Sequence, residues 1–238
     1  MQNQRPDPEV LDRYWHLKPN RPLALLFAKR QVSELVCDAV NLEGINFTIP
    51  EVQTLLDGIT VGGRKLSEQK IALNQADAWR AIFKQIENDQ FELNAKNILA
   101  IHHIAAEEEA LERGVFRSGQ VFIAGTEYIP PKANQLEQKL TQLLSSIAEY
   151  DDVYDAAIHL FLQMARNQFF WNVNKRMGRF IMNGYLLQQG YLAINLPASR
   201  QLEFNEKMLR FYDSNDEKEM NSFMRSCLSQ RYIDAFGE

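Results

Sequence analysis

The sequence is poor in the features that mark several classes of protein. It has only two cysteines, Cys37 and Cys227, which lie far apart and outside any C-x-x-C pair, so neither a zinc site nor a disulfide framework is indicated. No apolar run approaches the roughly 18 residues of a transmembrane helix, and residues 1–9 lack the apolar stretch of a signal peptide. The net charge of −5 disfavours a generic nucleic-acid surface. We therefore expect a cytoplasmic protein that binds neither nucleic acid nor membrane.

What remains is typical of a globular, mainly helical protein. The chain has 238 residues, of which 45% are hydrophobic and 24% charged, so it can bury a sizeable core. Apolar residues recur at helical spacing along most of the chain. Thr48 and Glu51 have the spacing of a capping box, Asn94 is a candidate N-cap, and Gly44 and Gly58 are candidate helix ends. Helices are predicted over residues 23–42, 48–57, 67–86, 94–111, 132–149, 151–168, 175–189, 201–213 and 216–230.

Two regions depart from this helical pattern. Four prolines within residues 1–22 predict an extended N-terminal arm with one helical turn at 10–15. Residues 119–131 alternate apolar and polar positions around Gly125-Thr126 and predict a short β-hairpin. We divide the chain into an arm (1–22), one main domain (23–215) and a helical extension of that domain (216–238).

Residues 168–179 hold the most chemistry in the sequence. They lie between two helical patterns, so Asn174 and Lys175 fall at a helix N-terminus, where backbone amides are unpaired and the helix dipole favours an anion. Arg176 and Arg179 are three residues apart and share one face of the first turn. This arrangement suits a di- or triphosphate. The alternative is that Asn174 only caps the helix and the cations are solvated.

The same stretch resembles the signature of the Fic (Fido) family, His-x-Phe-x-Asp/Glu-Gly-Asn-Gly/Lys-Arg-x-x-Arg. Five residues match it in register, namely Phe170, Asn174, Lys175, Arg176 and Arg179. Other pieces follow in the family's order: an inhibitory-helix region at 41–58, a central helix at 98–102, and the segment 114–131 that leads into a flap hairpin.

The resemblance implies a Fic-type helical bundle with a small β-hairpin flap. It also implies transfer of AMP from ATP to a hydroxyl of a protein target, which the flap would hold between Val121 and Tyr128. The motif histidine would take the hydroxyl proton, and the acidic residue would hold magnesium. The nucleotide phosphates would be bound by Asn174, Lys175, Arg176 and Arg179.

Three residues depart from the signature where the chemistry occurs. Gln168 replaces the histidine, and an amide cannot act as a general base. Asn172 replaces the carboxylate, so magnesium binding is expected to be weakened, with the phosphates alone left to carry the ion. Val173 replaces the glycine and tolerates a positive φ poorly.

No other histidine is expected to supply the base. His159 lies nine residues before Gln168, more than two helical turns away. His102 and His103 belong to a helix with an apolar face, where a structural role is commoner, and His16 lies in the arm without a motif around it.

Glu43 is a candidate regulatory residue. The resemblance implies that a glutamate before glycine pairs with the last arginine of the motif, here Arg179, and obstructs the γ-phosphate. The family has Ser or Thr four residues earlier, whereas this chain has Ala39. The alternative is an incidental charge at a helix end.

Three functions stay open from sequence. The first is a regulator that binds a nucleotide or phosphorylated ligand with weak or no transfer. The second is a nucleotidyl- or phosphotransferase with non-standard chemistry. The third is a protein-binding scaffold that uses the flap.

Overall fold

The computed structural model describes residues 17–237, and within them the fold is built from α-helices. None of these helices has the length and apolar character needed to cross a membrane. The helical turn predicted at 10–15 and most of the arm lie outside the described residues. The helices are α1 Arg21–Arg30, α2 Val32–Asn41, α3 Ile49–Leu56, α4 Leu66–Glu87, α5 Ala95–Ala105, α6 Leu136–Ser146, α7 Val153–Asn167, α8 Asn174–Gln188, α9 Gln201–Ser214, α10 Lys218–Ser226 and α11 Gln230–Gly237.

The centre of the molecule is the pair α7 and α8, which pack along each other more extensively than any other two helices described. Gly178 allows this approach, because a Cβ there would lie 2.9 Å from the backbone oxygen of Phe161. Helices α1, α4 and α5 pack on α8, while α6 and α10 pack on α7. The loop that joins the central pair, residues 168–173, therefore lies at one end of the core.

Several helix starts form where the sequence predicts them. Thr48 and Glu51 make the reciprocal contacts of a capping box at the start of α3, and the Asn94 side chain caps α5. Helix ends are less well predicted. The helix expected over 23–42 is broken at Gln31 into α1 and α2. The helix expected to reach Leu111 ends at Ala105, where the following glutamates would oppose the negative end of the helix dipole.

The predicted β-hairpin flap is wrong, because no β-strand occurs in the part of the chain that the structure describes. Residues 118–131, here called the flap segment, form an irregular loop fixed by side chains. Gln120 Nε2 donates to the carbonyls of Val121 and Pro130, and the Thr126 hydroxyl bonds Asp213 of α9. An isolated two-stranded ribbon is marginally stable, and prolines at the segment's end cannot donate ladder hydrogen bonds.

Candidate functional site

The loop between α7 and α8 keeps a backbone shape suited to glycine although it has none. Gln168 has φ 48° and Val173 has φ 67°, so both lie in the left-handed region. For a β-branched residue this conformation costs about 1–2 kcal/mol. The N–H of Val173 donates to Asn172 Oδ1 at 2.8 Å, and its carbonyl accepts from Met177 N at 2.8 Å. The surrounding contacts thus hold the turn that a glycine would adopt freely.

The start of α8 has no side-chain cap. Among the described residues, the backbone amides of Asn174, Lys175 and Arg176 have no hydrogen-bond acceptor. Asn174 is the first helical residue rather than the N-cap, and its side chain is turned to the loop. Its Oδ1 accepts from Phe170 N at 2.9 Å, and its Nδ2 donates to Phe170 O at 2.8 Å and Gln168 Oε1 at 3.1 Å. Only its backbone amide is therefore left to meet an anion.

A cavity of about 460 Å³ adjoins this helix start. It is bounded by the motif loop, by Lys175, by Glu43, by the flap segment at Phe122 and by α9 at Met208 and Tyr212. The Lys175 side chain has neither an ion pair nor a hydrogen bond with any residue from 17 to 237. One unpaired cation and the two residues Asn174 and Lys175, both with unpaired amides, thus border the same space.

The two motif arginines lie behind the cavity rather than in its wall. Arg176 is 3% exposed and makes a two-pronged ion pair with Glu109, at 2.8 and 2.6 Å. Burial lowers the pKa of Arg179 to about 10, with Glu43 acting in the opposite direction. The void that the two arginines border with α2 and α4 is about 20 Å³, too small for a nucleotide.

Glu43 lies between the cavity and the arginines. Its Oε1 is 4.0 Å from Arg176 Nε and 4.0 Å from Arg179 Nη2. The expected Glu43–Arg179 pairing therefore takes the form of a long contact that Arg176 shares. In this position the carboxylate separates the guanidinium groups from the cavity.

Neither side chain at the two altered catalytic positions is available as a base or an anionic ligand. Gln168 Nε2 donates to Ala165 O at 2.6 Å. Asn172 Nδ2 donates to Glu109 O at 3.3 Å, and its Oδ1 is already used by Val173. Because Asn172 offers only a neutral oxygen that is already bonded, the loop does not fit a dedicated magnesium site. Residues 17–237 contain no cluster of three His, Cys, Asp or Glu residues that could hold a metal.

Arg117 holds the motif loop in place through hydrogen bonds to backbone carbonyls. It was not singled out from the sequence as a functional residue. Its side chain is fully buried and donates to the carbonyls of Gln168, Gly119 and Pro131. Burial lowers its pKa. It therefore ties the motif loop to both ends of the flap segment. No local pattern marks this arginine, because two of its three acceptors, the carbonyls of Pro131 and Gln168, lie 14 and 51 residues away in the chain.

The histidines within the described residues are held away from the cavity. His102 is fully buried, stacks on Phe170 at 3.8 Å between ring centroids, and accepts from Gly114 N at 3.0 Å. Burial lowers its pKa to about 4. His159 bonds Glu217 at 2.9 Å and Ser146 at 3.1 Å, and His103 is exposed. His16 lies outside the described residues.

The structure is a bundle of helices with an uncapped helix start at one end of its core, and comparison with known proteins relates part of it to a known family. Residues 92–186, which include α5, α7, the motif loop and most of α8, match the model of the Fic/DOC family. This match confirms, for this part of the chain, the resemblance that the signature predicted.

The similarity to individual proteins extends beyond the family segment. The Protein adenylyltransferase Fic of Drosophila erecta is 24% identical over 221 residues, which is 90% of this chain and 43% of that protein. The chain thus spans less than half the length of the curated relatives it matches. Among solved structures, Fic-1 from C. elegans aligns with a TM-score of 0.76 at 16% identity, over 98% of this chain and 67% of that one. A Fic-domain signaling protein from Bacteroides thetaiotaomicron aligns with a TM-score of 0.75 at 17% identity, over 96% and 94%. At these identities the structures establish the fold alone.

Proposed function

We propose that this chain binds the phosphate of a nucleotide or other phosphorylated ligand at the start of α8, and that it transfers AMP weakly or not at all. The observation that carries the proposal is the combination found at one cavity. The cavity is bordered by Asn174 and Lys175, whose backbone amides are unpaired, and by the unpaired Lys175 side chain, while Gln168 occupies the position of the base.

The chemistry of the helix start favours an anion. Three unpaired N–H groups point along the helix axis toward its N-terminus, where the helix dipole adds partial positive charge. Lys175 supplies a full positive charge and makes no ion pair with a carboxylate in the described residues, although Glu43 also borders the same cavity. The relatives named protein adenylyltransferases support a nucleotide such as ATP as the ligand.

Transfer is expected to be weak because the motif position of the base holds Gln168, which cannot take a proton from an attacking hydroxyl. A positioned general base is worth about two to four orders of magnitude in rate. Gln168 does not titrate, and His102 and His159 are engaged elsewhere. Magnesium carried by the phosphates alone would leave the leaving group less well stabilised.

A protein target is proposed for the flap segment between Val121 and Tyr128. Phe122 borders the cavity while 76% exposed, and Ile129 is 64% exposed, so apolar surface is available beside the site. A solved relative, IbpAFic2, was captured covalently tethered to Cdc42; it aligns with a TM-score of 0.55 at 14% identity. The same exposed side chains favour the second candidate, a scaffold that binds protein without nucleotide.

Calorimetric titration with ATP and GTP, with and without magnesium, tests binding. We expect Lys175→Ala to weaken nucleotide affinity about tenfold, since it removes one unit charge from the site. Lys96→Ala is the matched control, because Lys96 is exposed on α5. Wild-type protein that binds no nucleotide would exclude the proposal and leave the scaffold.

Labelled ATP tests transfer. We expect no labelled protein with the wild type, and label after Gln168→His/Asn172→Asp/Val173→Gly restores the altered positions. Wild-type label that disappears with Arg176→Ala would instead establish a transferase with non-standard chemistry.

A further inference from the structure

A glutamate-rich segment crosses the motif loop and is not part of the signature. Residues 106–114, here called the acidic strap, follow α5 and include Glu107, Glu108, Glu109 and Glu112. The strap meets the loop at three points. The Glu109 side chain pairs with Arg176, the Glu109 carbonyl accepts from Asn172 Nδ2 at 3.3 Å, and Glu112 accepts from Trp171 Nε1 at 2.7 Å.

The pair between Glu109 and Arg176 is the strongest of these contacts. Two short hydrogen bonds join a guanidinium that is 3% exposed to a carboxylate that is 11% exposed. Such two-pronged, charge-assisted pairs are stronger than neutral hydrogen bonds. The third nitrogen of the Arg176 guanidinium, Nε, is buried without a hydrogen-bond partner. The Glu43 carboxylate lies 4.0 Å from it. Glu109 occupies both terminal nitrogens of Arg176, and Glu43 lies between Arg176 and the cavity. A polyphosphate that makes a two-pronged contact with Arg176 must therefore pass Glu43 and replace Glu109.

Asn172 is compatible with the strap where an acid would not be. Its amide donates to the Glu109 carbonyl, which a carboxylate cannot do. A negative charge at 172 would also lie against the partial negative charge of that carbonyl oxygen. Asn172, which stands where the signature has a magnesium-binding carboxylate, thus also joins the loop to the strap.

We propose that Glu109 determines the specificity of the anion site. While Glu109 holds Arg176, the site takes a single phosphate group at Lys175 and the α8 amides, and a triphosphate gains its extra contacts only when Arg176 is released. This inference rests on the proposed function, because it concerns the same anion.

The test compares AMP with ATP by calorimetry, since the two differ only in the number of phosphates. Glu109→Gln is expected to tighten ATP about tenfold, as one charge-assisted pair becomes available to the ligand, and to change AMP affinity by less than about twofold. Glu108→Gln is the matched control, because it removes the same charge from an exposed strap position that makes no ion pair within residues 17–237. It is expected to change neither affinity.

A second variant keeps the test valid if Glu109→Gln fails to fold. Glu109→Asp retains the charge but shortens the side chain, so it breaks the two-pronged geometry and is expected to tighten ATP by a smaller factor. An unchanged ratio of ATP to AMP affinity in the folded variants would overturn this inference and leave the proposed function intact. Absence of binding of both nucleotides to every variant would overturn both.

Discussion

Two helix starts in this molecule contrast sharply. At α3, the Thr48 hydroxyl accepts from Glu51 N at 3.4 Å, while the Glu51 carboxylate accepts from Thr48 N at 2.7 Å. Arg64 adds two hydrogen bonds to the same carboxylate, at 2.9 and 2.8 Å. At α8, the residue in the cap position is Val173, which supplies no side-chain acceptor.

The contrast is instructive because the uncapped start is the more buried of the two. Water can satisfy the amides at the exposed start of α3, yet that helix start also has both hydrogen bonds of a capping box. Unpaired amides at the core end of α8 are more costly unless something from the cavity satisfies them. A valine with a left-handed φ followed by three backbone N–H groups without acceptors is a combination typical of ligand-binding turns.

The largest effect is expected where the α8 loop is supported. Arg117→Ala removes a fully buried side chain and its three charge-assisted hydrogen bonds to partly buried carbonyls, and should lower the free energy of unfolding by about 3–5 kcal/mol. Urea denaturation measures this. The control is Arg113→Ala, since Arg113 makes only a 3.5 Å pair with Glu107 and is 40% exposed; it should cost less than about 1 kcal/mol. Equal losses would mean that Arg117 does not hold the loop.

A second effect depends on pH. The folded pKa of His102 is about 4, below its unfolded value of about 6.5. Its contribution to stability is therefore fully present above about pH 6.5 and is lost as the pH falls toward 4, which amounts to about 2 kcal/mol between pH 7 and pH 5. His102→Gln should flatten the dependence of unfolding free energy on pH in this window. His103→Gln, one residue away and exposed, should keep it; a slope unchanged by His102→Gln would exclude this origin.

The α3 cap gives a smaller effect. Thr48→Ala removes both side-chain contacts of the cap residue and should cost about 1 kcal/mol in urea denaturation. Thr54→Ala on the same helix is the control, because its hydroxyl only bonds back to the Pro50 carbonyl and alanine has the higher helix propensity. If both variants behave alike, the capping box contributes nothing measurable.

The smallest effect is expected at Val173. Val173→Gly loses a buried side chain but relieves a left-handed φ, so the two changes should offset each other to within about 1 kcal/mol. Val36→Gly, at a buried position in α2 with ordinary helical geometry, should cost about 3 kcal/mol. Similar losses at both positions would show that Val173 is not strained.

Features with local causes were predictable from sequence. The caps at Thr48 and Asn94 depend on residues three apart, and the motif was placed at the start of α8 by the periodicity on either side of it. The Fic resemblance added the overall helical fold, which the comparisons confirm. Its hairpin did not appear, because side-chain contacts with α9 and Arg117 fix the flap segment instead.

Features with tertiary causes were not predictable. Nothing near Glu109 indicates that it will meet Arg176, 67 residues later in the chain. Likewise, the left-handed φ at Val173 contradicts the preference of valine, and only the contacts around the loop impose it. Sequence alone thus placed the motif residues at the turn that begins α8, but not which of them face the cavity.

The contact between Trp171 and Glu112 makes the site optically observable. The indole borders the cavity, packs against Gly119 so closely that a Cβ there would lie 2.6 Å from the ring, and is hydrogen bonded to the strap. Its fluorescence will therefore shift when the strap moves. With Trp15 and Trp79 changed to phenylalanine, one emission signal would follow ligand entry in real time, without a labelled nucleotide.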